Sequence, residues 1–131
     1  MSRTATAMRL VEHGPFPAIV AYFEGGHKKW SISKRKEVPL YLKLPDVPRS
    51  QTVTATMFDD PNIPDDSDEI RADHWFTADR SENYYIHESC FRTGLDSIVT
   101  LPWWKDEQQI IDLNEAEERR AEWRSDGRWE S

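Results

Sequence analysis

Residues 18–33 read AIVAYFEGGHKKWSIS, and this stretch decides the fold class. Ala18 to Phe23 are small, β-branched or aromatic, the pattern of a strand buried on both faces. Gly25-Gly26 follows, and glycine takes positive φ without strain, so the chain reverses there in a tight hairpin. The returning arm alternates, placing Trp30 and Ile32 on one face and Lys29, Ser31 and Ser33 on the other. An antiparallel unit of this kind is the nucleus of an antiparallel sheet.

Working outward, residues 1–6 are small and polar and read as a loose end. Met8 to His13 reads as a first strand closed by Gly14-Pro15. Beyond the hairpin, Val38, Leu40, Leu42 and Leu44 share one face of an extended segment, and Pro39 on the other face marks an edge. Residues 45–50 are a connector. Gln51 to Phe58 alternates Thr52, Thr54 and Thr56 with Val53, Ala55 and Met57, which predicts a half-exposed strand. Ile70–Thr77 and Tyr84–Cys90 read as a second antiparallel pair joined by the polar residues 78–83. Ser97 to Leu101 is a short strand that Pro102 ends. The period changes after that. Asn114 with Glu117 three residues on fits a capping box. Acidic Glu115, Glu117 and Glu118 in the first turn, and Arg119, Arg120 and Arg124 later, suit the helix dipole. Gly127 supplies a stop. A helix over 114–125 has only Ala116, Ala121 and Trp123 as apolar anchors, so it belongs on a rim with its acidic side in water. The expected fold is α+β: one domain over 1–131, a mostly antiparallel sheet that is strongly bent or two-layered, and a C-terminal helix.

Composition fits a folded body with a charged skin. Charged residues make up 31% of the chain, yet it holds six tryptophans, and 131 residues suffice for a core without disulfides or metals. A single cysteine, Cys90, excludes an internal disulfide and suggests a reducing compartment. The N-terminus lacks the apolar core of a signal peptide, and no apolar run is long enough to span a bilayer. The expectation is a soluble cytoplasmic protein.

Charge is divided unevenly. Residues 1–58 carry nine Lys/Arg against four Asp/Glu, whereas residues 59–131 carry eight against twenty. The acidic half opens with DDPNIPDDSDE at 59–69, six carboxylates and two prolines with no basic residue, which reads as a loop because proline is excluded from a helix interior. An acidic chain repels phosphates, so direct nucleic-acid binding is disfavoured even though Lys28, Lys29, Lys34, Arg35 and Lys36 cluster around Trp30. Those cations read instead as a charged edge, or as a complement to the acidic half.

Motifs for chemistry are thin. A calcium loop begun at Asp65 would need glycine and glutamate where Ile70 and Phe76 stand. Zinc needs more ligands than Cys90 with scattered histidines provides, and strand alternation sends His87 and Cys90 to opposite faces. A cysteine nucleophile using Cys90 with His87 or His74, oriented by Asp73, lacks any flanking signature and meets the same geometric objection at His87. No metal, cofactor or catalytic residue is assigned. Trp103-Trp104, on an extended segment, must point opposite ways. One of them near Asp106 and Glu107 has the anchor-and-rim pattern of a protein interface.

The reading that follows is a non-catalytic acidic binding protein or inhibitor. It docks on a basic protein or nucleoprotein surface through Asp59, Asp60, Asp65, Asp66, Asp68 and Glu69, the tryptophans Trp103 and Trp104, and the helix acids Glu115, Glu118 and Glu122. Carboxylates that occupy phosphate positions would block a partner's nucleic-acid site. Small, acidic, motif-poor chains resemble in kind the virus-encoded inhibitors of nucleic-acid machinery such as the anti-CRISPR proteins, a likeness that assigns no residues. The alternatives are a small enzyme or enzyme subunit built on His74, His87 and carboxylates, and an assembly component whose oppositely charged halves join head to tail.

Overall fold

The structure, a computed structural model, describes residues 3–14, 16–33, 44–76 and 84–105 together with positions 108, 112, 115 and 119. Among the described residues, five strands form one open antiparallel sheet: β1 (Val20–Glu24), β2 (His27–Ile32), β3 (Asp66–Arg71), β4 (Tyr85–Gly94) and β5 (Ser97–Trp103), in the spatial order β2-β1-β5-β4-β3. Among the described residues two helices have both ends defined, α1 (Arg3–His13) and α2 (Val53–Asp59), and with the sheet they make the fold α+β. No helix among the described residues is long and apolar enough to cross a membrane.

The β1–β2 hairpin is built as its sequence requires. Gly25 and Gly26 have φ of 61° and 81°, the left-handed values of a tight hairpin turn. Tyr22 pairs with Trp30 and Phe23 with Lys28, so Lys29 is bulged out of the ladder. Tyr22 and Trp30 stack with ring centroids 5.9 Å apart.

Strand alternation gives the sheet two apolar faces. On one, Ala21, Phe23, Ile70 and Ile86 pack with Trp75, Phe76 and Trp104, and Cys90 and Ile98 meet Val53 and Met57 of α2. On the other, Val20, Val99 and Leu101 are covered by Ala7 and Val11 of α1, with Met8, Trp30, Phe91 and Trp103 around them.

Several expectations are corrected. Met8–His13 is not a strand but the second half of α1, which begins at Arg3 within the supposed loose end. Its buried Ala7 and Val11 lie one helical turn apart. A Cβ at Gly14 would collide with the Leu10 carbonyl, so glycine lets the chain leave the helix there.

Gln51–Phe58 is also helical. Thr52 caps α2, its Oγ1 accepting from the Ala55 amide at 3.1 Å, while the Glu88 carboxylate accepts from the amides of Val53 (2.9 Å) and Thr54 (2.8 Å). Three of the four orphan donors of the helix start are thereby satisfied, one of them locally and two by a residue 34 or 35 positions away. Alternation within 51–58 carries no trace of that distant carboxylate.

The acidic stretch is a loop only to Asp65. From Asp66 it is β3, paired with β4 in the register Asp66↔Cys90, Asp68↔Glu88 and Ile70↔Ile86. The expected strand over Ile70–Thr77 is consequently shifted towards the N-terminus: a 3-10 turn at Ala72–His74 follows β3 directly.

Pro102 does not end β5 but pairs with Glu88 inside it. Its carbonyl accepts from the Ile19 amide at 3.0 Å, on the side where pairing beyond β1 is reduced to an Ala18–Trp103 bridge. An extended residue points N–H and C=O the same way, so the missing donor weakens that side and not the β4 ladder.

Of the expected C-terminal helix over 114–125, Glu115 and Arg119 are helical, as are Gln108 and Asp112 before it. The rest of that helix, its place on a rim, the strand over Val38–Leu44 and the cations Lys34, Arg35 and Lys36 lie outside the described residues.

Candidate functional site

The acidic residues fall into a continuous band along one margin of the sheet. Asp59 ends α2 and Asp60 caps it; both are exposed. Asp60 Oδ1 accepts from the Asn62 amide at 3.0 Å and its carbonyl from Arg92 at 2.9 Å. Arg92 also donates to the carbonyls of Met57 and Ile63, while its own amide donates to Asp65 Oδ1 at 2.8 Å. One guanidinium therefore ties the acidic loop to the C-terminal end of α2, where a cation complements the helix dipole.

β3 is an edge strand, and four of its first residues, Asp66, Ser67, Asp68 and Glu69, are exposed. The Ser67 amide donates to Asp66 Oδ1 (2.8 Å) and the Glu69 amide to Asp68 Oδ1 (2.9 Å). Donors that would otherwise recruit a further strand are thus occupied by the chain's own carboxylates. Among the described residues, no lysine or arginine lies within ion-pair distance of Asp59, Asp66 or Asp68. Lys28, on β2 at the opposite edge of the sheet, serves the Leu44 carbonyl at 2.6 Å and Asp46 at 3.7 Å.

Ser67 and Glu69 turn to the α1 face of the sheet. Ser67 Oγ meets Ser89 Oγ at 3.2 Å, and Glu69 Oε2 lies 3.5 Å from His87 Nε2. His87 stacks on Trp103 with centroids 4.2 Å apart, and Trp103 stacks on Phe16 at 5.2 Å. The Trp103 indole N–H donates to Ser89 Oγ at 3.2 Å. Beside this aromatic row opens a cavity of about 300 Å³ lined by Leu10, Phe16, Ser89, Phe91, Leu101 and Trp103. Phe16, Ser89 and Phe91 were not singled out from the sequence, and His87 entered it only as a candidate metal ligand or catalytic residue. The alternation of β4 carries the signal for three of them, whereas Phe16, between two prolines, has none.

The two adjacent tryptophans do point opposite ways. Trp103 is half-buried in the aromatic row, but Trp104 is fully buried against Phe76, at 5.6 Å, and offers nothing to a partner. Glu115 is exposed; Glu118 and Glu122 lie outside the described residues. The loop and β3 bring Asp59, Asp60, Asp65, Asp66, Asp68 and Glu69 together, and Trp103 joins them through His87.

Cys90 sits on the opposite face from His87, as strand alternation requires, among Glu88, Thr54 and Thr100. Its thiol donates to Glu88 Oε2 at 3.3 Å, and Thr54 Oγ1 lies 2.6 Å from both Glu88 Oε2 and Thr100 Oγ1. Burial and the adjacent carboxylate push the Cys90 thiol well above its ordinary value, the reverse of what a nucleophile needs. Among the described residues, no three His, Cys, Asp or Glu side chains converge as a metal site. No protein-family model, curated protein or solved structure matches the chain.

Proposed function

We propose that this chain is a non-catalytic, cytoplasmic binding protein whose acidic margin docks on a basic protein surface and occludes a nucleic-acid site there, in the manner of virus-encoded inhibitors. The observation that carries the reading is the exposed run Asp65, Asp66, Asp68 and Glu69, which begins in the loop and continues along the edge strand β3, paired on its inner side with β4. Asp66 and Asp68 thus hold two exposed carboxylates about 6.8 Å apart on one face of β3, with Glu69 on the other face. Clustered charge of this kind accelerates encounter with a cationic surface and sets its salt dependence.

The test is capture from a cognate lysate at low and high salt, with the parent chain and with Asp65→Lys/Asp66→Lys/Asp68→Lys as baits. The expected result is a nucleic-acid-binding protein retained by the parent at low salt, released at high salt and missed by the variant. Once purified, that protein should lose a labelled duplex in a mobility-shift assay when the parent chain is added. Equal capture by both baits would reject the assignment.

A further inference from the structure

The aromatic cavity on the α1 face stands next to the acidic margin but has a different chemistry. Leu10 and Phe16 at its mouth are 42% and 37% exposed, so apolar surface is left facing solvent. The one hydroxyl in its wall, Ser89 Oγ, already accepts from the Trp103 indole and meets Ser67 Oγ. No unmet polar demand therefore points inward, and an apolar occupant is the one that gains. Trp103 is stacked on both Phe16 and His87, so the part of the cavity wall it forms is already fixed and needs little further ordering. At about 300 Å³ the hollow is at the small end of ligand pockets, a size for one side chain.

Its position limits what that side chain belongs to. From β5, which carries Trp103, to β3, which carries Glu69, is two strand spacings, or about 9.5 Å. An extended peptide covers that span in about three residues, at roughly 3.3 Å each. Arg71, the cation on the same side of β3, is held by Asp73 through two hydrogen bonds of 3.1 and 3.0 Å, so Glu69 is left to set the local charge.

We propose that this cavity is the anchor point of the docking face: it takes one bulky apolar side chain of a basic partner segment that places a lysine or arginine about three residues away, against Glu69. This rests on the acidic-docking reading and adds the feature by which one cationic surface is chosen over another. Charge draws in any basic surface, whereas the anchor keeps only those with an apolar residue in register.

Three synthetic probe peptides test it by nuclear magnetic resonance titration of the 15N-labelled chain. One carries leucine three residues from a lysine pair; the second replaces that leucine with glycine; the third keeps the leucine but replaces the lysines with glutamates. The leucine-lysine peptide should shift the Trp103 indole and the amides of Leu10 and Phe91 together with Ser67 and Glu69. It should bind at least about tenfold tighter than either control, the gain from burying one apolar side chain. Leu10→Glu, at an exposed helical position that leaves the core intact, should remove that advantage and leave the glycine control unchanged. Equal affinity of the first two peptides with still cavity signals would overturn the anchor while leaving acidic docking in place. Equal affinity of the two leucine peptides would overturn acidic docking while leaving the cavity. Silence from all three would overturn both.

Discussion

Glu88 is fully buried, and the arrangement around it explains why a carboxylate is tolerated there. Two backbone amides, the Thr54 hydroxyl and the Cys90 thiol all donate to it, and Thr100 extends the network through Thr54. A buried polar group is acceptable when its hydrogen bonds are made, and expensive when one partner is removed. Glu88→Ala would strand the amides of Val53 and Thr54 at the start of α2. With a penalty of about 1–3 kcal/mol per stranded buried group, the expected loss is about 3–5 kcal/mol, read as a lowered urea midpoint. Glu88→Gln keeps one acceptor but turns an NH2 towards a donor, and should lose about half as much. A loss below about 1 kcal/mol for alanine would refute the bridging role. Cys90 offers a separate reading of the same site. Its folded pKa is raised, so the folded state holds the proton more tightly than the unfolded chain does. That contribution to stability is complete below the unfolded thiol value of about 8.5 and is lost as pH rises from there through the folded value. The expected outcome is a thiol inert to a thiol-specific dye at neutral pH until urea unfolds the chain, and a urea midpoint that declines in the alkaline range more steeply than that of Cys90→Ala.

At the level of elements, β3 joins two demands that usually conflict, since a free edge strand invites pairing yet here must stay available to a partner. Asp66 and Asp68 meet both, carrying the charge and occupying the amides of Ser67 and Glu69. Asp66→Thr/Asp68→Thr retains strand propensity, removes two charges and uncovers both donors. The weight-average mass in sedimentation equilibrium should therefore rise with concentration beyond that of the parent. An unchanged mass would show that other features guard this edge. The same elements mark where sequence reading worked and where it did not. The β1–β2 hairpin and the strand β4 were legible because their signals are local: a Gly-Gly turn, and alternation in Tyr85–Cys90. α2 was not, because Thr-Val-Thr-Ala-Thr-Met alternates like a strand while the groups that make it a helix include Glu88, far along the chain. α1 was misread for a related reason. Its apolar stripe is only Ala7, Met8 and Val11, too narrow to separate a helical period from an alternating one. The acidic site was legible as composition but not as shape, since nothing local says that Asp66–Glu69 would leave the loop and pair with β4.

For the molecule as a whole, the question is whether docking depends on the acidic band itself or on the net charge of −7. Charge reversal alone does not separate the two, because three Asp→Lys changes each add two positive charges and bring the chain to −1. Asp65→Asn/Asp66→Asn/Asp68→Asn is the better probe. It brings the net charge to −4, and asparagine Oδ1 still accepts from the Ser67 and Glu69 amides, so the strand edge stays closed. A control with the same net charge is Glu24→Gln/Asp46→Asn/Asp96→Asn. Glu24 lies on β1, Asp46 beside β2, and Asp96 in the turn before β5, all outside the band. Long-range attraction set by net charge would slow association equally in the two variants. A local field, focused by a row of carboxylates within a Debye length of about 8 Å of the contact, would slow only the first. For the basic protein captured by the parent chain, stopped-flow mixing at physiological ionic strength should show about a tenfold drop in association rate for the band variant and less than about twofold for the control. The band variant should also have the flatter dependence of rate on ionic strength, with dissociation little changed because the cavity beside Trp103 is untouched. Equal slowing of both variants would place the attraction in the molecule's overall charge, and β3 would then be only an edge that keeps other strands away.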